Sequence, residues 1–350
     1  MIDLVTSVDQ AAGPARNNPV IALDAMSGDL GSEVVVRAAI ASLEKHAALN
    51  LVLVGNSSEL ADRVVRLVGE EQRLSIREAT EVVGMSESPG DALRKKKDSS
   101  MRVAIDLVRE GTAHACVSAG NTGALMAIAK FVLKMLAGIE RPAIIAELPA
   151  IGGTVHMLDL GANTAVDADL LFQFAVMGSI VTADIRRIER PRVALLNIGV
   201  EASKGHDTVR DAAAKLEASS LNYVGFIEGN EIFSGKADVV VTDGFTGNVA
   251  LKTMEGTIGL AAHYLRRAFT RTPVARLQAL LAAPVLKSLA LEMDSRNYNG
   301  ASLVGLNGIV IKSHGSADSY SFQHAIDTAL VEVRNQVPRQ IGILMQQEST

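Results

Sequence analysis

A chain of 350 residues, 48% of them hydrophobic and 21% charged, has ample material for a buried core. Its net charge of −5 argues against global attraction to nucleic acid, and its single cysteine excludes an internal disulfide or a cysteine metal cluster. Tryptophan is absent and aromatics make up only 3%, so the core must be aliphatic, which suits a helix-covered parallel sheet better than an antiparallel sandwich.

Residues 1–19 carry Asp3 and Asp9, lack a basic start and end in a run from Pro14 to Pro19, so they read as a flexible extension rather than a signal peptide. No uninterrupted apolar stretch is long enough to span a bilayer. Short apolar runs ending in small polar residues predict strands at Val20–Asp24, Asn50–Gly55, Ala115–Ser118, Val155–Leu160, Val193–Ile198, Ala237–Thr242 and Gly308–Lys312. Helical periodicity lies between them at Ser32–His46, Glu59–Val68, Met101–Glu110, Ala124–Ala137, Asp167–Ala183 and Thr208–Ser219. This alternation predicts a doubly wound α/β fold: a mostly parallel sheet with helices on both faces and ligands outside the carboxyl ends of the strands. Residues 20–335 read as one α/β domain and 336–350 as a C-terminal tail.

Residues 256–291 break the pattern. They hold no acid but contain Arg266, Arg267, Arg271, Arg276 and Lys287, a segment of +5 in a negative chain. Leu277, Leu281 and Val285 fall at helical spacing, and Thr272-Pro273 and Pro284 divide the stretch into two or three helices. Such a basic amphipathic insertion (256–293) suits either an anionic membrane surface or a dimer interface.

One strand-to-loop phrase is written twice, at Val117–Gly123 and at Val241–Gly247, in the form Val-[Ser/Thr]-x-Gly-x-Thr-Gly. Glycines allow close backbone approach, and helix N-termini favour anions, so two such turns suggest two walls of one anion-binding cleft. The candidates are Ser118, Gly120, Asn121, Thr122 and Gly123 in the first turn, and Asp243, Gly244, Thr246, Gly247 and Asn248 in the second, with Lys252 one turn on. Other polar strand ends add Asp24, Gly28 and Asp29; Asn197 and Lys204; and Lys312 and His314. Lysines suit phosphate and asparagine amides suit a developing oxyanion. The sequence shows no Walker loop, nucleotide fingerprint, serine elbow or close metal-ligand spacing, so no metal or cofactor is expected. Cys116 sits in an apolar run and reads as packing. The densest basic run, Arg94, Lys95, Lys96 and Lys97, is a solvated face or a docking site for an acidic partner.

Together these phrases resemble the PlsX family of phosphate acyltransferases. The matching stretches are Leu23–Met26 with Gly28-Asp29, Arg94–Met101, Ser118–Met126, Leu158–Asn163, Leu195–Gly199, Val239–Gly256, Asn299–Ser302, Gly305–Asn307 and Val310–Asp318. Ser27 stands where the family usually has Gly and His206 where it has Asn, and Val200, Ala202 and Ser203 make the Glu201–Lys204 loop unusual. The resemblance implies an isocitrate-dehydrogenase/phosphotransacetylase-like fold and conversion of acyl-[acyl-carrier protein] and inorganic phosphate into acyl phosphate for phospholipid synthesis. It also implies a cytoplasmic homodimer at the membrane surface that feeds a downstream membrane acyltransferase. On this reading Lys204 holds phosphate or assists charge transfer, Asn248 donates to the substrate oxygen, the Gly120–Gly123 and Gly244–Gly247 turns supply backbone donors, His314 protonates the leaving thiol, Asn163 joins the substrate-binding set, and Arg94–Lys97 docks the carrier. A phosphotransacetylase-like enzyme using coenzyme A, or a non-catalytic membrane scaffold, are the alternatives.

Overall fold

The computed structural model describes residues 18–67, 71–292 and 294–348, so most of the expected N-terminal extension lies outside it. The strands are β1 (Val20–Asp24), β2 (Asn50–Gly55), β3 (Leu74–Glu78), β4 (Ala115–Ser118), β5 (Ala143–Ala150), β6 (Gly153–Leu158), β7 (Arg192–Leu196), β8 (Asn222–Ile227), β9 (Val239–Val241), β10 (Ala301–Val304) and β11 (Ile309–Lys312). The helices are α1 (Ser32–Lys45), α2 (Ser57–Leu67), α3 (Pro89–Lys95), α4 (Ser100–Arg109), α5 (Thr122–Leu133), α6 (Ala168–Arg186), α7 (Asp207–Glu217), α8 (Gly244–Thr270), α9 (Pro273–Glu292), α10 (Ser319–Asn335) and α11 (Val337–Glu348).

The strands form one sheet in the order β3-β2-β1-β4-β11-β10-β5-β6-β9-β7-β8. Alternation along each strand feeds opposite faces. Ala22, Cys116, Val240 and Val310 point to one apolar layer, whereas Ile21, Leu23, Val117 and Ile311 point to the other, beneath α1 and α10. Burial raises the Cys116 thiol well above its usual range, so it packs rather than reacts.

All seven predicted strands form, three with the expected bounds and four with ends shifted by one or two residues, and β3, β5, β8 and β10 are additional. Two of these produce the antiparallel centre: β10 pairs with both β11 and β5, and β5 with β6, while the flanks are parallel. The register there decides where the site lies. Ile311 faces Ser302, Ser302 faces Ile145, Ile145 faces Leu158, and Leu158 faces Val241. The two parallel halves run in opposite directions, yet their carboxyl ends meet at one level over the central strands.

The basic insertion is two long helices, and α8 begins at Gly244, inside the second repeated turn, so candidate site and insertion share one rod. At 1.5 Å per residue its 27 residues span about 40 Å. Leu277, Leu281 and Val285 are exposed, Leu281 by 78%. The 336–350 segment, expected as a tail, carries α11, whose Val337, Ile341 and Met345 are buried against the α6 side of the core. Helix α6 is long and apolar enough to cross a membrane, but it is a mostly buried core helix here.

Candidate active site

The first turn is built on strand register. Leu23 pairs with Val117, and Lys312 with Ser118, so Asp24, Ser118 and Lys312 stand in one row at the ends of β1, β4 and β11. Asp24 is fully buried and accepts the hydroxyls of Ser27 and Ser118, each at 2.6 Å, on one oxygen. Its other oxygen, Oδ1, has no hydrogen-bond partner among the described residues. Lys312 Nζ donates to the carbonyls of Ala119, at 3.3 Å, and Ser313. Burial pushes its pKa down to about 8, against the opposing pull of Asp24 and Asp29 and with the help of Lys252. Asp24 and Ser118 thus form a buried floor rather than direct ligands, and Lys312 is the group that reaches the cleft.

The two repeats are not structurally equivalent. In the first, Asn121 is the N-cap: its Oδ1 accepts from Ala124 N at 3.0 Å, and its amide donates to the carbonyls of Met85 and Glu87. In the second, Asp243 is the cap, two positions earlier in the phrase, and accepts from the Thr246 amide and hydroxyl at 2.9 and 2.6 Å. The N–H groups of Gly244, Thr246 and Gly247 are therefore already bonded, to Asn163 O and to Asp243. This corrects the expectation that the second turn offers its backbone donors to an anion, because a capping carboxylate holds that position.

Asn163 is also corrected from ligand to support. It is buried, and its side-chain amide donates to Pro142 O at 2.8 Å and to Asp159 at 2.9 Å. Burial holds Asp159 above the usual carboxylate range despite hydrogen bonds from Ile144, Ala162 and Asn163. The Asp159–Asn163 loop presses against the start of α8, and a Cβ on Gly247 would collide with the Asp159 carbonyl. Gly247→Ala is therefore expected to cost about 1–3 kcal/mol, read as a lower Tm and a lower kcat.

Both repeats nevertheless reach one cleft. Thr122 from the first and Gly244, Asn248 and Lys252 from the second line a cavity of about 820 Å³ together with Asp29, Lys312 and His314. Asn248 is exposed, and its side-chain amide has no hydrogen-bond partner among the described residues. Lys252 pairs with Glu255 at 2.8 Å. His314 accepts from Ser316 N at 3.3 Å on Nδ1, which leaves its proton on Nε2. Partial desolvation, Lys252 and Lys312 hold its pKa below the usual value, so near neutrality it offers a hydrogen bond and no spare proton. Gly28, at φ 97°, lets the β1–α1 turn approach Ala119 and the Gly315 carbonyl. Arg296, Tyr298 and Asn299 also line the cavity, and Arg296 is held by Asp294 and Asp318. Only Asn299 lay in a stretch singled out from the sequence; Arg296 follows the basic insertion with no motif of its own.

Beside this cleft lies an apolar groove of about 1820 Å³, which no sequence signal located because its walls come from separate segments. It runs between α8 (Phe245, Val249, Met254), the β7–α7 loop (Ile198, His206) and the β5–β6 turn (Ile151). Phe245, Met254, Ile258 and Tyr298 border both spaces. Asn197 and Thr246 line the groove, and Asn197 closes its loop by donating to Lys204 O at 3.2 Å. Lys204 itself is exposed on that loop and lines neither space, although its neighbours Gly205 and His206 border the groove. The basic run sits on α3 and just after it, with Arg94 and Lys95 both paired to Asp91.

The fold is that of phosphotransacetylases. The enzyme from Streptococcus pyogenes superposes with a TM-score of 0.61 at 19% identity, over 90% of this chain and 94% of that one. The EutD phosphotransacetylase from Staphylococcus aureus gives 0.58 at 17% identity, over 91% and 95%. Sequence relatives are much nearer: a phosphate acyltransferase of Alkalilimnicola ehrlichii is 57% identical over 322 residues, 92% of this chain and 94% of the relative. One of Methylococcus capsulatus is 55% identical over 325 residues, 92% and 95% respectively. The model of the family described as "Fatty acid synthesis protein" matches residues 20–340. With nearly its whole length matched, the chain belongs to this fatty acid synthesis protein family.

Proposed function

We propose that this protein is a phosphate acyltransferase that moves an acyl group from an acyl-carrier-protein thioester to inorganic phosphate, releasing acyl phosphate and free carrier for phospholipid synthesis. One observation carries the reading: a cleft holding Lys312, Lys252 and an unpartnered Asn248 amide opens directly onto a large apolar groove. An anion and an acyl chain would meet beside that amide. The two sequence relatives quoted above bear the matching name.

Phosphate is itself a competent nucleophile, so no covalent enzyme intermediate is needed. Lys312 and Lys252 hold it; its oxygen bonds to the acyl carbonyl carbon while Asn248 donates to the carbonyl oxygen as that becomes negative. The carbon–sulfur bond then breaks, and the electron pair leaves on sulfur. A thiol pKa near ~8.5 lets it depart as thiolate and take a proton from water or phosphate. His314 orients rather than protonates. We assign Lys204, exposed on the loop whose Ile198 and His206 border the groove, a second positive charge for phosphate at that rim. The assay is release of acyl phosphate from a long-chain acyl-carrier protein, with and without inorganic phosphate. Turnover of acetyl-coenzyme A alone would support a phosphotransacetylase instead, and no turnover of any thioester would support a scaffold.

The α8–α9 arm needs an apolar cover, either an anionic bilayer or a second copy of the chain, and docking on a bilayer would place the labile product near a membrane acyltransferase. Each basic residue near an anionic surface contributes roughly 1 kcal/mol, and Arg266 and Arg267 are both exposed on the arm. Leu281→Glu is expected to abolish co-sedimentation with anionic vesicles while soluble activity persists. A variant that becomes monomeric by light scattering identifies the arm as the dimer interface.

A further inference from the structure

The basic run and helix α5 build a surface that the cleft does not explain. From Asp91 to Lys134 the chain carries eight Lys and Arg against four Asp and Glu, +4 in a chain of −5, with no acid between Gly111 and Ile139. Helices α3 and α4 both pack against α5. On its outer side Phe131 is 53% exposed, with the Lys134 ammonium 4.7 Å and the Arg102 guanidinium 5.7 Å from the ring centre.

Lys134 adopts φ 62° and ψ 173°, a region that glycine alone enters readily. Its backbone is pinned there. Asn307 N–H donates to Lys134 O at 3.2 Å, and the Asn307 side chain donates to the carbonyls of Leu133 and Met135 at 3.2 and 2.8 Å. A strain of this kind persists only where the surroundings impose it. No carboxylate among the described residues pairs with Lys134 or Lys130 in return. A glycine would fill this turn without strain but would place no cation over Phe131.

We propose that the face around Phe131, with Lys130, Lys134 and the Arg94–Lys97 run, docks the acidic protein that carries the acyl thioester; this rests on the proposed function above. Charge complementarity favours an acidic protein, and an exposed aromatic ring between cations supplies an anchor. The distance also suits a thioester borne on an extended prosthetic arm: Thr122, the first residue of α5, lines the cleft, and Lys134 lies 12 residues on, about 18 Å along the helix.

The test compares wild type, Lys130→Glu/Lys134→Glu, Phe131→Ala and Lys134→Gly on one long-chain acyl group carried either by the carrier protein or by free pantetheine. At low salt the KM for the carrier-borne substrate is expected to rise about tenfold in the charge-reversed protein. Its kcat and its activity on the pantetheine thioester should stay unchanged, and the difference should shrink as salt screens the charges. Lys134→Gly should raise the same KM while its Tm is no lower than that of wild type. An unchanged carrier KM overturns the proposal, as does equal damage with both thioesters. Loss of anionic-vesicle binding with an unchanged carrier KM overturns it in favour of a membrane contact. Wild-type protein that forms acyl phosphate from neither thioester overturns the proposed reaction itself.

Discussion

Asn248→Ala is expected to lower kcat by on the order of 10²–10³ while leaving the protein folded, since one oxyanion donor typically contributes that much. Asn248 sits in the first turns of α8, exposed, with no side-chain partner among the described residues, so its loss leaves no buried group unsatisfied. The measurement is single-turnover acyl phosphate release, with thermal unfolding as the control. Asn248→Asp keeps the shape but places a carboxylate where negative charge must develop, so it should be no more active. Wild-type kcat in either variant would remove Asn248 from the mechanism. Lys204→Ala is expected to lower kcat as well, and a KM for phosphate that rises with it would move phosphate binding to that rim.

Lys312 gives the second large effect, and its sign follows from its depressed pKa. The ordinary value is 10.5 and burial lowers it to about 8, so the ammonium is present below pH 8 and lost above it. The kcat/KM for phosphate should fall as pH rises through about 8 in the free enzyme. Lys312→Arg, which stays charged, should remove that limb. Lys312→Met should lower kcat/KM for phosphate at pH 7 by about 10- to 100-fold, the range for a lost charged hydrogen bond. Stability moves the other way. A lysine with a lowered folded pKa opposes folding while it is charged, and between about pH 8 and 10.5 the unfolded chain binds the extra proton, so native stability rises with pH there. Lys312→Met should therefore raise Tm at pH 7. A pH-independent phosphate KM together with an unchanged Tm would show that Lys312 neither binds phosphate nor carries a buried charge.

The repeated phrase shows how far local pattern reaches. It identified both strand-to-helix turns and the cleft they share, because Val-rich runs, glycines and capping residues act within a few residues of chain. It could not reveal that Asn121 caps one helix and Asp243 the other two positions earlier, since both residues cap well and only packing against Asp159 and Asn163 selects the start of α8. Asn163 was likewise visible as a polar strand-end residue in a familiar phrase, whereas its burial under Pro142 is a tertiary fact.

By itself the sequence determined the aliphatic, largely parallel α/β architecture, the polar strand ends that hold Asn248, Lys252, Lys312 and His314, and the acid-free helical stretch 256–291. Each rests on composition or on short-range periodicity. Tertiary structure alone decided the antiparallel centre, the level at which two opposed half-sheets bring their carboxyl ends together, the apolar groove and the distance of Lys204 from the cleft. Within that centre β10–β11 and β5–β6 are local pairs, but the ladder that joins the two half-sheets pairs residues more than a hundred positions apart, such as Ser302 with Ile145, and no local preference encodes such a partner.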